Sequence, residues 1–152
     1  MTLKLGDKIP SFNLRDQLGN DFSIDNLIGN STLVIFFYPK DFTPGCIAEV
    51  CSFRDQYEDF TDLGAEVIGI SSDGERSHDK FTKKYKLPFT LLSDKKGRVR
   101  KMFGVKSSLL GLLPGRVTFV IDKEGIVRLI FENQFGAEKH IKESLAILKE
   151  IN

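Results

Sequence analysis

The two cysteines of the chain, Cys46 and Cys51, lie five positions apart in the segment "YPKDFTPGCIAEVCSF" at residues 38–53. The residues after Pro44 have the pattern of a helix, in which such a separation places two Cα atoms about 8–9 Å apart. A disulfide requires Cα atoms within about 7 Å. The two thiols can therefore form a disulfide only if the helix between them unwinds.

The two cysteines are expected to differ in ionisation. Thr43 is a suitable helix cap and Pro44 a suitable first helical residue, which places Cys46 in the first turn. Backbone N–H groups there have no intrahelical partner, and the helix dipole favours a thiolate over a thiol. Cys51 lies deeper, on the apolar stripe, where it is expected to remain a buried thiol. Alternatively, Cys51 is only a small apolar residue of the core.

The composition is that of an ordinary globular domain. The chain has 152 residues, of which 41% are hydrophobic and 28% charged, with a net charge of +1. This charge argues against a nucleic-acid partner, and we interpret the basic segment "KKGRVRK" at 95–101 as a solvated helix face. No apolar run approaches the roughly 20 residues of a membrane span. We therefore expect one domain over residues 1–152, without a membrane partner.

The N-terminal segment "MTLKLGDKIPSF" has neither the apolar stretch of a signal peptide nor the character of a transit peptide. We expect a cytoplasmic protein, or a mature organellar form already trimmed of its transit peptide. In the cytosol, disulfides are usually transient and catalytic or redox-sensing.

Hydrophobic periodicity predicts an α/β domain. An N-terminal hairpin is followed by strand–helix–strand–helix–strand, then by a second hairpin and a closing helix, which is a thioredoxin-like topology. The N-terminal hairpin is predicted over 12–24. The predicted strands that follow are 31–39, 65–73, 89–94, 116–122 and 126–132. The predicted helices are 43–63, 75–87 and 137–151, with a further helical turn or two within 95–101.

Several motifs of this chain resemble those of peroxiredoxins. "PKDFTPGC" fits the P-x-x-x-T-x-x-C motif of that family, and "PGRVTFVID" resembles the segment that supplies its active-site arginine. With the second cysteine and the segments "EVIGISSD", "HDKFTKKYKLPFTLLSD" and "ENQFGAEKHI", the chain resembles the peroxiredoxin Q, or bacterioferritin comigratory protein, subfamily. The resemblance covers nearly the whole chain.

The resemblance implies a thiol-dependent peroxidase. Cys46 would attack a hydroperoxide and become a sulfenic acid, and Cys51 would resolve it as an intramolecular disulfide. A thioredoxin or a similar dithiol protein would then reduce this disulfide. Thr43 would cap the helix and donate a hydrogen bond from its hydroxyl to the peroxide, while Arg116 would stabilise the thiolate and hold the substrate.

Supporting roles are also implied. Pro39 would shield the pocket, the backbone N–H groups of Gly45 and Cys46 would meet charge that develops on oxygen, and Glu49 would orient the arginine. Neither a cofactor nor a metal is expected, and we expect a monomer.

Two departures from the usual subfamily sequence make the rim of the pocket apolar, namely Phe42 and Ile47. Together with "LLGLLPG" at 109–115, which includes Leu112, they could form an apolar collar that favours bulky alkyl hydroperoxides over hydrogen peroxide. Alternatively, these leucines form an ordinary buried turn with a purely structural role.

Three other functions remain possible. A thioredoxin-type oxidoreductase would carry C-x-x-C, whereas this chain has C-x-x-x-x-C. A zinc site would need Cys46, Cys51, His78 and His140 together, but their spacing is wrong and both histidines are expected to face solvent. A non-enzymatic redox sensor or binding module would keep the cysteines without needing Thr43 and Arg116.

Overall fold

The computed structural model describes residues 3–105, 116–133 and 136–151, together with the backbone of 107–108 and 113–114. The strands are β1 (Asn13–Asp16), β2 (Asp21–Ser23), β3 (Thr32–Phe37), β4 (Ala65–Ser71), β5 (Thr90–Ser93), β6 (Ser107–Ser108), β7 (Leu113–Pro114), β8 (Val117–Ile121) and β9 (Val127–Glu132). The helices are α1 (Pro44–Asp55), α2 (Tyr57–Asp62), α3 (Glu75–Tyr85), α4 (Arg98–Met102) and α5 (Ala137–Ile151).

The main sheet has seven strands in the order β2-β1-β5-β4-β3-β8-β9. β3 pairs in parallel with β4, and β4 with β5, as expected for strands joined by crossover helices. β8 pairs antiparallel with β3 and with β9, and the N-terminal hairpin extends the sheet by pairing with β5. The predicted thioredoxin-like topology with an N-terminal hairpin is confirmed.

Apolar side chains pack against both faces of the sheet. Every residue of β3 is buried, so its alternating side chains enter two separate cores. Phe36 lies in the core that includes α1 and α5, where its ring stacks on that of Phe53 at a centroid distance of 4.4 Å. Phe37 lies in the opposite core, against Phe103 of the loop after α4. This double burial fixes the end of β3, from which the chain enters α1.

The single helix predicted over 43–63 is wrong in its extent. α1 ends at Asp55, and Gln56, with φ −106° and ψ 10°, separates it from α2. The residues around this break include serine, aspartate and tyrosine, which have weak helix propensity, so regular helix is easily interrupted there. Phe53 and Phe60, on either side of the break, are both fully buried and pack against each other.

The prediction that both histidines face solvent is also wrong. His78 and His140 are fully buried. His78 lies three residues before the buried Phe81 on α3, and His140 lies four and eight residues before the buried Ser144 and Leu148 on α5. This helical spacing places each histidine on the inward face of its helix, where polar partners satisfy its nitrogens.

Within the basic segment, Lys95, Lys96 and Arg98 are exposed around the short helix α4. In the described ranges, no helix combines the length and the apolarity needed to cross a bilayer.

Candidate active site

Cys46 lies in the first turn of α1, at the end of the connection from β3. Thr43 precedes the helix with extended backbone angles, and Pro44 is the first helical residue. The N–H of Ile47 donates to the carbonyl of Thr43 at 2.8 Å. The N–H groups of Gly45 and Cys46 therefore have no intrahelical partner. Cys46 itself is fully buried.

Arg116 lies beside Cys46 although the two residues are 70 positions apart. Its Nη2 is 3.4 Å from the Cys46 sulfur. β3 and β8 are antiparallel neighbours in which Phe37 pairs with Val117, so the end of β3 meets the start of β8. The sheet thereby brings Arg116 to the N-terminal end of α1.

Glu49, one turn after Cys46, holds the other side of the guanidinium. Its Oε1 accepts a hydrogen bond from Arg116 Nη1 at 2.8 Å, and both side chains are buried. Burial raises the pKa of Glu49 to about 7, although the charge of Arg116 opposes this shift. Glu49 is thus a carboxyl group that changes charge near neutral pH.

His140 lies next to Glu49 as a neutral ring. Its Nδ1 is 3.6 Å from Glu49 Oε2, which is too long for a hydrogen bond, and Oε2 has no hydrogen-bond partner within the described ranges. His140 instead donates from Nε2 to the carbonyl of Asn133 and pairs through Nδ1 with the Thr118 hydroxyl, each at 2.8 Å. Burial lowers the pKa of His140, so the ring supplies no positive charge to the carboxyl.

Arg116 remains the cation of this site. Burial alone would lower its pKa, but the charges of Glu49 and Cys46 outweigh burial and raise it. The guanidinium therefore stays charged next to the sulfur.

The hydroxyl of Thr43 does not cap α1, contrary to the sequence-based expectation. It donates to the carbonyl of Lys40 at 2.8 Å, and no side-chain cap hydrogen bond is made. The hydroxyl is turned back over the preceding residues because that carbonyl is a nearby acceptor. The expected hydrogen bond from this hydroxyl to the peroxide is therefore also wrong, because the proton is engaged with Lys40. The oxygen of Thr43 is left with lone pairs that can accept a hydrogen bond.

Gly45 has a role beyond its backbone N–H that the sequence did not reveal. A Cβ atom added at this position would lie 2.9 Å from Arg116 Nη2, closer than real Cβ contacts. The absence of a side chain thus allows the guanidinium to approach the helix start. The only sequence signal was a glycine directly before the cysteine.

Cys51 lies on the same unbroken helix, and both cysteines are free thiols. Cys51 is half-buried and packs against the core beneath α1. Burial raises its pKa, which keeps this sulfur protonated in the folded helix.

The apolar rim is described only in part. Phe42 has a positive φ of 65°, and its ring packs on Phe81 of α3 at a centroid distance of 4.9 Å. Pro39 is half-buried in the same loop, and Ile47 packs against the α1 core. Leu112 and the other side chains of 109–115 lie outside the described residues, so the collar stays a prediction.

The potential metal ligands are used in hydrogen bonds. Over the ranges that the structure describes, one group of such residues, Asp41, Asp73 and His78, has its ligand atoms within 4.8 Å of one another. His78 Nδ1 pairs with Asp41 Oδ2 at 2.7 Å, and the Asp73 carboxylate accepts from the Ser71 hydroxyl. His78 and His140 each bind other partners, so neither joins the two cysteines in the zinc site considered above.

Comparison with known proteins identifies the family. Residues 5–130 match the model of the AhpC/TSA family. The chain is 53% identical over 146 residues to peroxiredoxin Q, chloroplastic, of Sedum lineare, covering 96% of this chain and 78% of that protein. The crystal structure of peroxidoxin BcpB from Mycobacterium tuberculosis matches with a TM-score of 0.91 and 39% identity, over 99% of each chain.

A structure of Xanthomonas campestris bacterioferritin comigratory protein, described for alkyl peroxide reduction activity, matches with a TM-score of 0.85 and 30% identity, over 95% of this chain and 99% of that chain. These findings confirm the resemblance inferred from the motifs. The chain belongs to the AhpC/TSA family, in its peroxiredoxin Q branch, and is a thiol-dependent peroxidase.

Proposed function

We propose that Cys46 is the peroxidatic residue of this enzyme. The observation that carries the proposal is the contact of 3.4 Å between Arg116 and the Cys46 sulfur at the start of α1. The thiolate attacks one oxygen of the hydroperoxide, the O–O bond breaks, and a proton goes to the leaving oxygen. The products are a Cys46 sulfenic acid and one molecule of water or alcohol.

In this proposal, most of the rate acceleration comes from positioning the peroxide. An unperturbed thiol is a few per cent ionised at pH 7, so complete ionisation gains roughly thirtyfold at most. The remainder comes from aligning and polarising the O–O bond. The Thr43 oxygen accepts the O–H of the peroxide, while Arg116 and the N–H groups of Gly45 and Cys46 donate to its oxygens. Pro39 and Phe42 border this pocket, with Pro39 keeping water from the thiolate.

Glu49 acts by orienting Arg116 rather than by touching the substrate. Its single short hydrogen bond to Nη1 leaves Nη2 directed at the sulfur. Because the guanidinium is planar, a hydrogen bond at Nη1 also fixes the direction of Nη2.

Cys51 resolves the sulfenic acid after α1 unwinds. The thiols are joined by unbroken helix, across which they cannot bond. Unwinding also exposes Cys51 to water, which removes the burial that raises its pKa. The Cys51 sulfur then attacks the Cys46 sulfenic acid, which releases water and forms a disulfide.

The reductant in this proposal is a thioredoxin or similar dithiol protein. It would be oxidised to its own disulfide while the two cysteines return to thiols. We further propose that the enzyme works as a monomer, in the cytoplasm or, as a mature form, in an organelle. The relative from Sedum lineare is named as a chloroplastic protein, which supports the organellar alternative. Sedimentation and cell fractionation test these two points.

Alkyl hydroperoxides are proposed substrates alongside hydrogen peroxide. The Xanthomonas protein is described for alkyl peroxide reduction, and Phe42 and Ile47 are apolar neighbours of the cysteine in sequence. Burying about 60–100 Å² of alkyl surface would stabilise the bound hydroperoxide by on the order of 2 kcal/mol. This corresponds to a preference of more than about tenfold over hydrogen peroxide. If polar replacements at Phe42 or Leu112 slow both substrates equally, the collar does not exist.

A coupled assay with thioredoxin, thioredoxin reductase and NADPH tests the full cycle. Wild type should consume NADPH on addition of peroxide, whereas Cys46→Ser and Cys51→Ser should not. Cys51→Ser should recover turnover with a small thiol, which can reach a sulfenic acid directly. The absence of peroxide consumption by wild type would favour the redox sensor instead.

A further inference from the structure

Asp41 is a buried carboxylate in the connection between β3 and α1, which we call the active-site loop (residues 38–43). Its side chain is 1% exposed. The Tyr38 hydroxyl donates to Oδ1 at 2.6 Å, while the Ser77 hydroxyl and His78 Nδ1 contact Oδ2 at 2.8 and 2.7 Å. Three hydrogen bonds compensate for the burial of this group. Two of them come from α3, so the carboxylate ties the loop to that helix.

His78 is bound through both of its ring nitrogens. Nδ1 is 2.7 Å from Asp41 Oδ2, and Nε2 is 3.1 Å from the carbonyl of Leu92 on β5. The ring therefore joins the Asp41 carboxylate to the sheet as well as to α3.

The backbone of the loop is fixed at the same residue. The N–H of Asp41 donates to Asp73 Oδ2 at 2.7 Å, and that carboxylate is held by the Ser71 hydroxyl at 2.8 Å. Asp41 is thus held through its backbone by the end of β4 and through its side chain by α3.

The next residue has an unfavourable backbone conformation. Phe42 has a φ of 65°, in the left-handed region that a bulky side chain rarely adopts. Such a conformation persists only where the surroundings enforce it. The fixed Asp41 on one side and the packing of the Phe42 ring on Phe81 provide this enforcement. Thr43 follows directly, so its position depends on this conformation.

We propose that Asp41 is a positioning residue of the peroxidase reaction: with Tyr38, Ser77 and His78, it holds the active-site loop in the conformation that presents Thr43 to the peroxide. This inference rests on the proposed role of Cys46. When Asp41 is released, Phe42 relaxes, Thr43 shifts and the start of α1 loosens. Attack on peroxide then slows, whereas formation of the Cys46–Cys51 disulfide, which needs the unwound helix, does not.

The test makes the same change, aspartate to asparagine, at two positions and compares the variants by single-turnover kinetics. Asp41→Asn should slow the oxidation of Cys46 by hydrogen peroxide by about tenfold or more, because small misplacements of positioning groups are costly. The later disulfide step should keep or exceed its wild-type rate. Asp122→Asn is the matched control, since Asp122 also accepts three hydrogen bonds, from two backbone N–H groups and Arg128, in the turn at the opposite end of the sheet. The control should oxidise at the wild-type rate.

Milder variants cover the case in which Asp41→Asn does not fold. Tyr38→Phe and Ser77→Ala each remove one donor to the carboxylate, and each should slow oxidation of Cys46 without slowing disulfide formation. Oxidation at the wild-type rate in folded Asp41→Asn, or in both milder variants, would overturn the proposal. Failure of wild-type Cys46 to react with peroxide would instead overturn its peroxidatic role.

Discussion

At the scale of single residues, the charge around the Cys46 sulfur is set by Arg116 and modified by Glu49. Arg116 is 3.4 Å from the sulfur and stays cationic. Glu49 is fully buried and changes charge near pH 7, while neutral His140 contributes no compensating charge. The net charge next to the sulfur thus depends on one carboxyl group that never touches it.

Gly45→Ala should reduce the rate of Cys46 oxidation with little loss of stability. The new methyl group would displace Arg116 Nη2 from its present position, and the end of a flexible side chain can move at low cost. Gly74→Ala is the control, because its Cβ would make only an ordinary contact of 3.4 Å with Lys95. Stopped-flow kinetics and thermal unfolding measure the two effects. An unchanged oxidation rate would mean that the approach of Arg116 is not needed.

Arg116→Ala, and Arg116→Lys to a lesser degree, should slow peroxide attack by more than the roughly thirtyfold that ionisation explains. Lysine keeps the charge but cannot contact Glu49 and the sulfur with one planar group. The measurements are the second-order rate of Cys46 oxidation and the thiolate fraction by ultraviolet absorbance. If the rate merely follows the thiolate fraction, Arg116 acts only through its charge.

The stability of Glu49→Gln relative to wild type should rise as the pH rises from 5 to 8. Glu49 binds a proton more tightly when folded, since its pKa rises from 4.5 to about 7. Its contribution to the free energy of unfolding is therefore fully present below about pH 4.5 and is lost as the pH rises through about 7. Such a shift corresponds to about 3 kcal/mol at most.

Chemical denaturation at several pH values measures the difference between Glu49→Gln and wild type, which should grow from pH 5 to pH 8. Glu66→Gln, an exposed position on β4, serves as the control and should show no such growth. A difference independent of pH would show that Glu49 is ionised throughout this range.

At the scale of elements, α1 is both the support of the pocket and the obstacle to the disulfide. Its first turn supplies the free N–H groups, and its continuity keeps Cys46 and Cys51 apart. Tertiary packing rather than propensity holds the helix, since Val50 and Phe53 are fully buried beneath it. The start of α1 contributes fewer buried residues, with Pro44 and Gly45 exposed. Unwinding from that end therefore disrupts the least packing.

Disulfide formation should lower hydrogen-exchange protection over residues 44–53 while leaving α5 protected. The bond cannot coexist with regular helix between the two cysteines, whereas α5 contains neither of them. Exchange measured by mass spectrometry on the reduced and oxidised protein gives the comparison. The oxidised Cys51→Ser variant is the control and should resemble the reduced wild type. Equal protection of 44–53 in both wild-type states would disprove the local-unfolding step.

At the scale of the whole molecule, the sheet joins parts of the site that are distant in sequence. The end of β3 carries the active-site loop, and its antiparallel neighbour β8 begins next to Arg116. The same sheet holds β4 and β5, which support Asp73 and His78 on the other side of the loop. A common framework thus positions the sulfur, the cation and the loop.

The topology could be predicted because it follows from local patterns. The buried run of β3 and the turn between β8 and β9 have strong signals in short segments. Residue types at fixed spacing likewise point to Cys46 and Thr43, and the segment "PGRVTFVID" points to Arg116.

The remaining details depend on long-range packing. The inward position of His78 could have been found from its helical spacing to Phe81, but its partner Asp41 lies 37 residues away with no periodic signal. The hydrogen bond of the Thr43 hydroxyl to Lys40 depends on how the loop turns. The contact of Gly45 with Arg116 depends on the pairing of β3 with β8, which a local pattern does not specify.

The most direct measurement is mass spectrometry of three proteins after reaction with one equivalent of hydrogen peroxide. Wild type should lose two hydrogens as the Cys46–Cys51 disulfide forms, Cys51→Ser should gain one oxygen on Cys46, and Cys46→Ser should remain unmodified. An oxygen on Cys51 in Cys46→Ser, formed as fast as the wild-type product, would contradict the assignment of Cys46 as the attacking thiol.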